Sequence, residues 1–381
     1  MGPLKGIRIV EFAGLGPAPF CAMLLADLGA EIIRIDRQQA IAGRIDHDPR
    51  TQIMNRGRRS IAVDLKNPAG QVAVLRLVDR ADALIEGYRP GVMERLGFGP
   101  DVCMERNPRL VYGRMTGWGQ DGPLASAPGH DINYIALTGT LHAIGRTGGP
   151  PTPPLNLVGD FGGGAYLAMG LLAAILEARE SGTGQIVDAA MIDAAASMMA
   201  YFFGFHAGGH WVDARGSNYL DTGSPFYDTY ETRDGKWIAI GSVEAKFWER
   251  TWRLLGLDIE RMPPQHDRGA WPKTKETVAA VVRRKTRDEW TRIFDGEEVC
   301  VAPVLSLSEV ADHPHIAARQ TVANVDGVDQ PAPAPRFSRT EAEIAGPPPA
   351  RGEHSEEILR DWGFDASEIS ALIKSDAVLQ S

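Results

Sequence analysis

Cysteine is scarce in this sequence. Its 381 residues include three cysteines, Cys21, Cys103 and Cys300, which are widely spaced and odd in number. This pattern argues against a disulfide framework and is typical of reduced thiols in a cytoplasm. The cysteines also lack the close spacing of a zinc site, so we expect neither disulfides nor a metal centre.

Long apolar runs and a signal peptide are missing as well. The longest apolar run, AYLAMGLLAAILEA, is shorter than the roughly 20 residues of a membrane-spanning helix. The first residues, MGPLKGIRIVEF, lack the apolar core and cleavage site of a signal peptide, and the terminal AVLQS is not a peroxisomal Ser-Lys-Leu signal. These absences predict a cytoplasmic protein with no membrane partner.

Positive charge is not in excess. The sequence has 40 Lys and Arg against 49 Asp and Glu, a net charge of −9. Because a nucleic-acid surface needs clustered cations to neutralise phosphates, we expect no nucleic-acid partner.

With 44% hydrophobic and 23% charged residues, the composition is that of an ordinary globular protein. The length exceeds one average domain, which predicts two domains.

Short β-rich runs alternate with helical patterns through the first third of the chain. IRIVEF, EIIRID, SIAVDL and ALIEGY have the composition of strands, and runs such as FCAMLLADLG have that of helices. This alternation predicts an α/β fold with a parallel sheet.

The pattern changes near residue 225. In YDTYETRDGKWIAIGS, Asp234-Gly235 separates two β-prone runs, which predicts a hairpin with a two-residue turn. We therefore expect a smaller α+β domain from this point, and the predicted organisation has four parts. These are a large CoA-binding α/β domain (1–200), a linker (201–224), the small domain (225–330) and a C-terminal segment returning to the large domain (331–381).

One Gly-rich turn imitates a dinucleotide-binding fingerprint. Gly14 and Gly16 follow the run IRIVEF, and Asp36 ends the second predicted strand. However, Pro19 replaces the third glycine, and Pro17 stiffens the loop where backbone amides would approach a pyrophosphate. A tight strand-to-helix turn is the favoured interpretation, and nicotinamide binding is the minor alternative.

A metal site and a serine nucleophile find little support in the remaining motifs. His206 and His210 are four residues apart, but Gly208 and Gly209 between them weaken any helix that would align their side chains. The sequence also contains no G-x-S-x-G motif of the serine hydrolases.

Two segments place acid/base side chains at predicted helix starts. His130-Asp131 opens the amphipathic run GHDINYIALTGTLHAIG, and Asp160 precedes three glycines in VGDFGGG. Polar residues at such positions are usually helix caps. Three glycines at the start of a strong helix nevertheless sacrifice helix propensity, which indicates that something lies close against the backbone. Together the two segments predict a functional site.

These segments, with RGRRSIAVDLK, IEGYRPGVMERLG, RMTGWGQDGP and GQIVDAAMIDAA, resemble the family III CoA-transferase superfamily over nearly the whole chain. Within it, the sequence is most similar to the α-methylacyl-CoA racemases, because the transferases generally lack a histidine at the position of His130. The resemblance implies a Rossmann-like large domain, a smaller α+β domain and an interlocked homodimer. It implies no metal or organic cofactor, since CoA is part of the substrate.

The implied reaction inverts the carbon next to a CoA thioester by moving one proton off and another on. Two bases, one on each face of a planar enolate, suit this chemistry, and His130 and Asp160 would be those bases. The resemblance implies that Glu244 of the small domain orients His130, across the dimer interface, and that Asn156 bonds within the site. We expect the backbone N–H of Asp131, at a helix start, to hold the enolate oxygen.

The acidic chain needs local cations for the phosphates of CoA. The arginines available in the matching segments are Arg37, Arg56, Arg58, Arg59, Arg89 and Arg95. By resemblance we favour Arg37, Arg89 and Arg95, because guanidinium groups suit bidentate phosphate contacts. The backbone near Val63 and Leu65 and the ring of Tyr134 would line the path of the pantetheine and thioester.

A methionine-rich stretch is the candidate acyl pocket, because flexible thioethers suit a bulky acyl chain that moves between two positions. The candidate side chains are those of Met191, Met198, Met199, Phe202 and Phe203 in this stretch, together with Met115 from an earlier segment. The same residues are equally compatible with a plain core. Branched-chain and sterol-derived acyl groups are the substrates that such a pocket suggests.

Two other functions remain open at this stage. A CoA-transferase would use Asp160 as a carboxylate nucleophile and form an acyl anhydride, although His130 argues against it. The second alternative is a CoA- or nucleotide-binding protein without catalysis, or a dehydrogenase that uses the Gly14 turn.

Overall fold

The computed structural model describes residues 2–38 and 48–381, which divide into two compact units. Unit 1 contains Met1–Ile135, Leu155–Ser197 and His315–Ser381, and unit 2 contains Ala136–Pro154 and Met198–Pro314. The predicted domain boundaries differ from the boundaries of these units. The prediction put residues 136–154 in the large domain and residues 315–330 in the small one.

The segment 136–154 belongs to unit 2 because side chains bind it there. Arg146 forms a salt bridge with Asp228, and Nε of Arg215 donates a hydrogen bond to the carbonyl of His142 at 2.8 Å. The chain therefore leaves unit 1 after Ile135 and returns to it twenty positions later.

The strands of the described residues form three sheets. In chain order they are β1 (Arg8–Phe12), β2 (Glu31–Arg37), β3 (Arg59–Val63), β4 (Ala83–Glu86), β5 (Val111–Thr116), β6 (Ile186–Ala190), β7 (Tyr227–Glu231), β8 (Trp237–Gly241), β9 (Val301–Val304), β10 (Val322–Val325), β11 (Val328–Pro331) and β12 (Val378–Leu379).

The helices of the described residues cover the sheets. They are α1 (Pro17–Asp27), α2 (Pro68–Val78), α3 (Val92–Arg95), α4 (Pro100–Arg106), α5 (Asp131–Ala136), α6 (Thr140–Ala143), α7 (Gly162–Ser181), α8 (Met191–Met198), α9 (Ala200–Ala207), α10 (Ala245–Leu254), α11 (Trp271–Val282), α12 (Arg287–Phe294), α13 (Pro314–Arg319), α14 (Ser355–Asp361) and α15 (Ala366–Lys374).

The predicted parallel α/β fold is confirmed in unit 1. Its seven-stranded sheet has the order β12-β3-β2-β1-β4-β5-β6, in which β12 pairs antiparallel and the other strands pair parallel. The order 3-2-1-4-5-6 is that of the Rossmann fold. Both β4 and β5 are buried along their whole length, and the charged side chains within them are paired, since Nε of Arg114 donates to Oε1 of Glu86 at 3.0 Å.

Two hydrophobic clusters form the core of unit 1. In one, Ile358 and Leu359 of α14 and Trp362 just after it join residues of β1 to β3. In the other, residues of α1 and α7 join the same sheet. Nε1 of Trp362 also donates to Glu31 at 2.9 Å, so the last part of the chain is held to the sheet by packing and by a hydrogen bond.

The smaller antiparallel sheet of unit 2 confirms the predicted hairpin but corrects its turn. Strands β7 and β8 pair antiparallel, with Glu231 opposite Trp237. The N–H of Thr232 donates to Lys236, so the connection is longer than the two-residue turn that we expected. Gly235 has a φ of +72° there, a conformation that glycine adopts without steric cost.

Helix α7 is longer than its apolar sequence run suggested. With the turn before it, Leu157–Ser181 is long and apolar enough to cross a membrane by length and composition, so the prediction that no segment reaches this length is wrong. The helix packs against α1, β5 and β6, and buries Leu167 and Leu171. It is therefore a core helix of unit 1, and such helices pass the same length test.

We expect that Ile358→Ala will lower the free energy of unfolding by about 2–5 kcal/mol, because it leaves a cavity where the side chain is fully buried. The control is Arg360→Ala on the exposed face of α14, with an expected change within about 0.5 kcal/mol. Urea unfolding of both variants measures the difference. Equal losses in the two variants would show that α14 does not pack in the core.

Candidate active site

The candidate site begins where β1 and β4 end. These strands are neighbours, but the chain continues from β1 towards β2 and from β4 towards β5, in opposite directions across the sheet. Open parallel sheets bind ligands at the carboxyl ends of the strands at such a point. The loop with Gly14 and Gly16 follows β1, and the loop with Arg89 follows β4.

Asp160 lies in a π turn, Leu157–Phe161, that leads directly into α7. Nδ2 of Asn156 donates to Oδ2 of Asp160 at 3.0 Å, so the predicted bond within the site is present. Just before it, Leu155 has a φ of +57° and is 75% exposed. A left-handed leucine costs roughly 1–2 kcal/mol, and strain of this kind is concentrated at functional sites.

The carboxylate of Asp131 holds the Asp160 segment in place. Its Oδ1 accepts hydrogen bonds from the backbone N–H of Gly159 at 2.7 Å and of Asp160 at 2.9 Å. A Cβ on Gly159 would lie only 2.5 Å from that oxygen, so a side chain there would disrupt the contact. The other oxygen, Oδ2, is buried without a hydrogen-bond partner. This role of the side chain was missed in the sequence, which suggested only the backbone N–H.

His130 precedes α5 and is exposed. Its backbone N–H donates to Oδ1 of Asn133 at 3.1 Å, and its carbonyl accepts from the N–H of Asn133 at 2.8 Å. The asparagine, which sequence reasoning missed, thus fixes the backbone beneath the imidazole. The backbone N–H of Asp131 is in the first turn of α5, where a helix leaves its amides unpaired.

The cap interpretation of these acidic residues is wrong. The N-cap of α7 is Phe161, without a side-chain cap bond, and Asp160 lies one residue earlier. The carboxylate of Asp131 likewise binds the backbone of another segment rather than its own helix. Both carboxyl groups therefore belong to one hydrogen-bonded arrangement.

Burial is the largest cause of a raised pKa at Asp160, and the charge of Asp131 raises this pKa further. The hydrogen bond from Asn156 and the nearby His130 act in the opposite direction. A raised pKa lies closer to neutral pH. A carboxyl with such a pKa can both accept and return a proton.

The glycines next to Asp160 are explained by close packing of the chain itself. A Cβ at Gly164 would lie 2.6 Å from the carbonyl oxygen of Pro17, and one at Gly163 would lie 2.8 Å from Cγ of Met191. Gly16 has a φ of +64°, and its Cβ would lie 3.1 Å from Oδ2 of Asp160. The loop with Gly14 and Gly16 is thus a tight strand-to-helix turn, which was the favoured interpretation of the sequence. It forms one wall of the site around the carboxyl of Asp160.

The candidate arginines for CoA separate into two groups. Arg37, Arg89 and Arg95 are exposed and have no salt bridge in the described part of the chain. Arg37 lies 5.7 Å from the ring of Tyr88, whose hydroxyl donates to the carbonyl of Ala13 at 3.1 Å. Tyr88 was missed in the sequence because nothing marks it as more than a loop residue.

The other three candidate arginines are paired with carboxylates of the protein itself. We therefore no longer consider them as ligands for the phosphates of CoA. Arg56 and Arg58 are buried in ion pairs with Asp27 and Glu11. Arg59 binds three carboxylates, those of Glu31, Glu357 and Asp361.

The residues expected along the pantetheine path are buried. Val63 pairs with strands on both sides, Leu65 belongs to the core, and Tyr134 is packed against Trp118 with ring centroids 4.8 Å apart. Burial raises the pKa of Tyr134, Asp160 raises it further and Arg89 lowers it. The tyrosine thus lies within electrostatic reach of both groups.

The methionines of the predicted acyl pocket divide between the units. Met115 and Met191 are buried in unit 1, and both approach Gly163 at the start of α7. Met198 and Met199 belong to unit 2, as do the neighbouring Phe202 and Phe203 on α9. Helix α9 has no buried residue in unit 2, so a plain core does not account for its aromatic side chains.

Glu244 is exposed in unit 2 at the N-cap of α10, and its side chain makes no cap bond. It lies close enough to Tyr219 and Cys300 to raise the pKa of each, although burial is the larger cause at both. Within unit 2, Glu244 is therefore an exposed residue at a helix start.

Potential metal ligands do not cluster in the described residues, since no three His, Cys, Asp or Glu side chains are grouped as an ion would require. The titratable side chains of the two segments include His130 and Asp160, and the hydrogen bonds of Asp131 and Asn156 hold the Asp160 segment.

The geometry defines a Rossmann-like α/β protein in which the carboxyl of Asp160 faces the loop that follows β1 of the parallel sheet. Residues 4–355 match the sequence profile of CoA-transferase family III, and the chain belongs to this family. It is similar to the alpha-methylacyl-CoA racemases of Mus musculus and Homo sapiens, each 42% identical over 99% of this chain and 98% of the relative. A crystal structure of a CaiB/BaiF family protein from Brucella suis has the same fold, with a TM-score of 0.84 at 23% identity, over 95% of this chain and all of that one.

We expect Asp160→Asn to be more stable than the unsubstituted protein at pH 8, because ionising a partly buried carboxyl with a raised pKa costs stability. That cost decreases as the pH falls through the raised pKa and disappears below about 3.9, the pKa of an unfolded aspartate, where the carboxyl becomes protonated in both states. Unfolding free energies at pH 8 and about pH 3 measure the difference.

The control for this prediction is Asp121→Asn, at an exposed loop position. The effect of this substitution on the free energy of unfolding should be the same at both pH values. A stability gain of Asp160→Asn that is the same at both pH values, or that grows as the pH falls, would contradict the raised pKa.

Proposed function

We propose that this protein inverts the α-carbon of 2-methyl-branched acyl-CoA thioesters by 1,1-proton transfer, with His130 and Asp160 as the acid/base pair. The 42% identity to two alpha-methylacyl-CoA racemases over 99% of the chain supports an isomerase. The observation that carries the mechanism is the carboxyl of Asp160, whose backbone and side chain are fixed by Asp131 and Asn156 and whose pKa is raised.

In the proposed reaction one base removes the α-proton, and the electron pair of the broken C–H bond moves into the enolate of the thioester. The conjugate acid of the other base then donates its proton to the opposite face. The two bases have exchanged protonation states at the end, and exchange with water restores them. Atoms and electrons balance without a metal or an organic cofactor.

Stabilising the enolate oxygen is the second requirement of this chemistry. We assign it to the backbone N–H of Asp131, because the first-turn amides of a helix carry partial positive charge. A fixed donor aimed at a developing oxyanion contributes about 3–4 kcal/mol to many enzymes. The carboxylate of Asp131, bonded to the Asp160 segment, would keep this donor at a constant distance from the base.

Substrate binding by the CoA moiety would use Arg37, Arg89 and Arg95, which are exposed and without carboxylate partners in the residues described. We further propose that Glu244 supports His130 in the assembled enzyme, and that Met115 and Met191 contact the acyl group. Three unpaired cysteines agree with a cytoplasmic location.

A CoA-transferase is the second candidate, because the chain belongs to a family that bears this name. In that reaction the carboxylate of Asp160 would attack the thioester carbonyl and form a mixed acyl anhydride, while the C–S bond breaks and CoA leaves as its thiolate. The raised pKa of Asp160 favours the racemase, because a carboxyl whose pKa lies closer to neutral pH is better suited to both accepting and returning a proton.

The deciding experiment incubates a single enantiomer of 2-methylacyl-CoA with the protein in D₂O. We expect deuterium at the α-carbon, measured by mass, together with conversion towards an equal mixture of epimers, measured by chiral separation. A control reaction uses Asp160→Asn, which retains the shape of the side chain but cannot act as an acid or a base, so it should produce no inversion. Absence of exchange with several branched thioesters, combined with hydroxylamine trapping of an Asp160 acyl group, would instead establish the transferase.

We also propose that the protein is a homodimer. Within unit 1, α7 exposes an apolar stripe that includes Ala165, Met169 and Leu176, at a spacing of four and seven residues. Within unit 2, α9 is apolar but has no buried residue, and Phe203 is largely exposed. Apolar helices of this kind are normally covered, and symmetric association is the commonest cover.

Sedimentation equilibrium tests this proposal, with an expected mass twice the 41.3 kDa of the chain. The double variant Met169→Lys/Leu176→Lys should shift the protein to the monomer, because two charges would be buried in the interface. The control Glu180→Lys, at an exposed charged position of the same helix, should remain a dimer. A monomeric unsubstituted protein would contradict the assembly.

A further inference from the structure

Beneath the candidate site lies an ion pair that the proposed mechanism does not use. Nε of Arg58 is 3.1 Å from Oε2 of Glu11 on β1, and both side chains are fully buried. Burial raises the pKa of Glu11 and lowers that of Arg58, while each charge opposes the shift of the other. Neither carboxylate oxygen of Glu11 has a hydrogen bond within the described residues.

Such a pair contributes little net stability. Removing two charges from water costs several kcal/mol per ion, and well-packed apolar residues often replace a buried pair without loss. Buried pairs can instead define geometry, and the remaining N–H groups of Arg58 indicate which geometry. Nη1 donates to Oδ1 of Asn55 at 3.0 Å, and Nη2 donates to the carbonyl of Pro19.

The contact with Pro19 lies in the first turn of α1, and this turn packs on the Asp160 segment. The rings of Phe20 and Phe161 are 4.9 Å apart, and the carbonyl of Pro17 lies against Gly164. One residue before the helix, the backbone of Gly16 faces the carboxyl of Asp160. A shift of this turn would therefore move the wall that shields the carboxyl from water.

We propose that Arg58, with Glu11 as its counter-charge, is a positioning residue for proton transfer, because it fixes the first turn of α1 against the carboxyl of Asp160. This inference rests on the proposed function. The pair does not touch the substrate; it acts through α1, whose first turn it joins to β1 and to the turn that contains Asn55.

The chain contains a matched control at the other end of the same helix. Arg56 and Asp27, the last residue of α1, form a second buried pair with Nη2 and Oδ2 2.6 Å apart. Arg56 also donates to Oε1 of Gln330 at 2.9 Å, and none of its hydrogen bonds within the described residues reaches the first turn of α1. Loss of this pair should therefore affect stability without moving Gly16 or Pro17.

The groups that determine the titration of Asp160 must stay the same in both variants. They are the charge of Asp131, the hydrogen bond from Asn156 and the imidazole of His130. The charged groups around Glu11 are Arg58, Arg34 and Asp36, and the thiol of Cys21 is also close. None of these groups around Glu11 is a base of the proposed reaction.

The test compares Glu11→Gln/Arg58→Met with Asp27→Asn/Arg56→Met. Both double variants remove the two charges of a buried pair together, which avoids leaving one charge unpaired and unfolding the protein. Two quantities are measured: the pH dependence of kcat for α-proton exchange, and the titration of the Asp160 carboxyl carbon by NMR in the protein without substrate, assigned with Asp160→Asn.

For Glu11→Gln/Arg58→Met we expect kcat to fall between about tenfold and a hundredfold, as misplaced catalytic groups do. KM should stay within about threefold, because the substrate contacts are unchanged. The pKa of Asp160 should fall towards its ordinary value as water reaches the carboxyl. For Asp27→Asn/Arg56→Met we expect a lower melting temperature, with kcat, its pH dependence and the titration unchanged.

Equal behaviour of the two variants, with stability as the only change, would overturn the positioning role. An unsubstituted protein that catalyses no exchange would instead overturn the proposed function. The NMR titration separates these outcomes, because it needs no activity: an unchanged pKa of Asp160 in Glu11→Gln/Arg58→Met contradicts the inference whatever the reaction is.

Discussion

The hydrogen bonds from the backbone N–H groups of Gly159 and Asp160 to the carboxylate of Asp131 are the contact on which the candidate site depends. Asp131 is adjacent to His130, so one side chain sets the distance between the two proposed bases. The chain between them makes an excursion into unit 2 over residues 136–154. This contact joins the two segments directly, so the distance between the proposed bases does not depend on that long excursion.

Several features around Asp160 cost stability. The carboxyl is partly desolvated, Leu155 has a left-handed backbone, and the π turn interrupts regular helical bonding. The surrounding protein maintains these features through close packing, with Gly16 and Gly164 allowing α1 to approach where a side chain would not fit. Unfavourable local conformations that are held by rigid surroundings are typical of active sites.

The sequence was sufficient to predict the architecture of unit 1 because local patterns determine it. The strands of its large sheet are short β-prone runs that alternate with helices in the order of a parallel sheet. The hairpin was also predictable from Asp234-Gly235. The length of its turn was not, because a two-residue and a longer turn accept the same glycine.

The site was predictable only in part. His130 and Asp160 could be named, but the bonds that Asp131 accepts join residues 28 and 29 positions away, and no local pattern encodes them. The arginines show the same limit. Arg58 and Arg89 are alike in sequence, and only the tertiary structure shows that one is buried against Glu11 and the other exposed. Likewise, the glycines after Asp160 indicated a close neighbour, but not that α1 would be that neighbour.

The central claim, that His130 and Asp160 serve opposite faces of one enolate, is tested most directly by following each epimer separately in D₂O with His130→Ala and Asp160→Ala. Neither variant should invert its substrate, and both should bind the CoA ester within about tenfold of the unsubstituted protein. Each variant should still exchange the α-proton of one epimer, and the two surviving epimers should be opposite. Survival of the same epimer in both variants, or inversion by either, would contradict a base on each face.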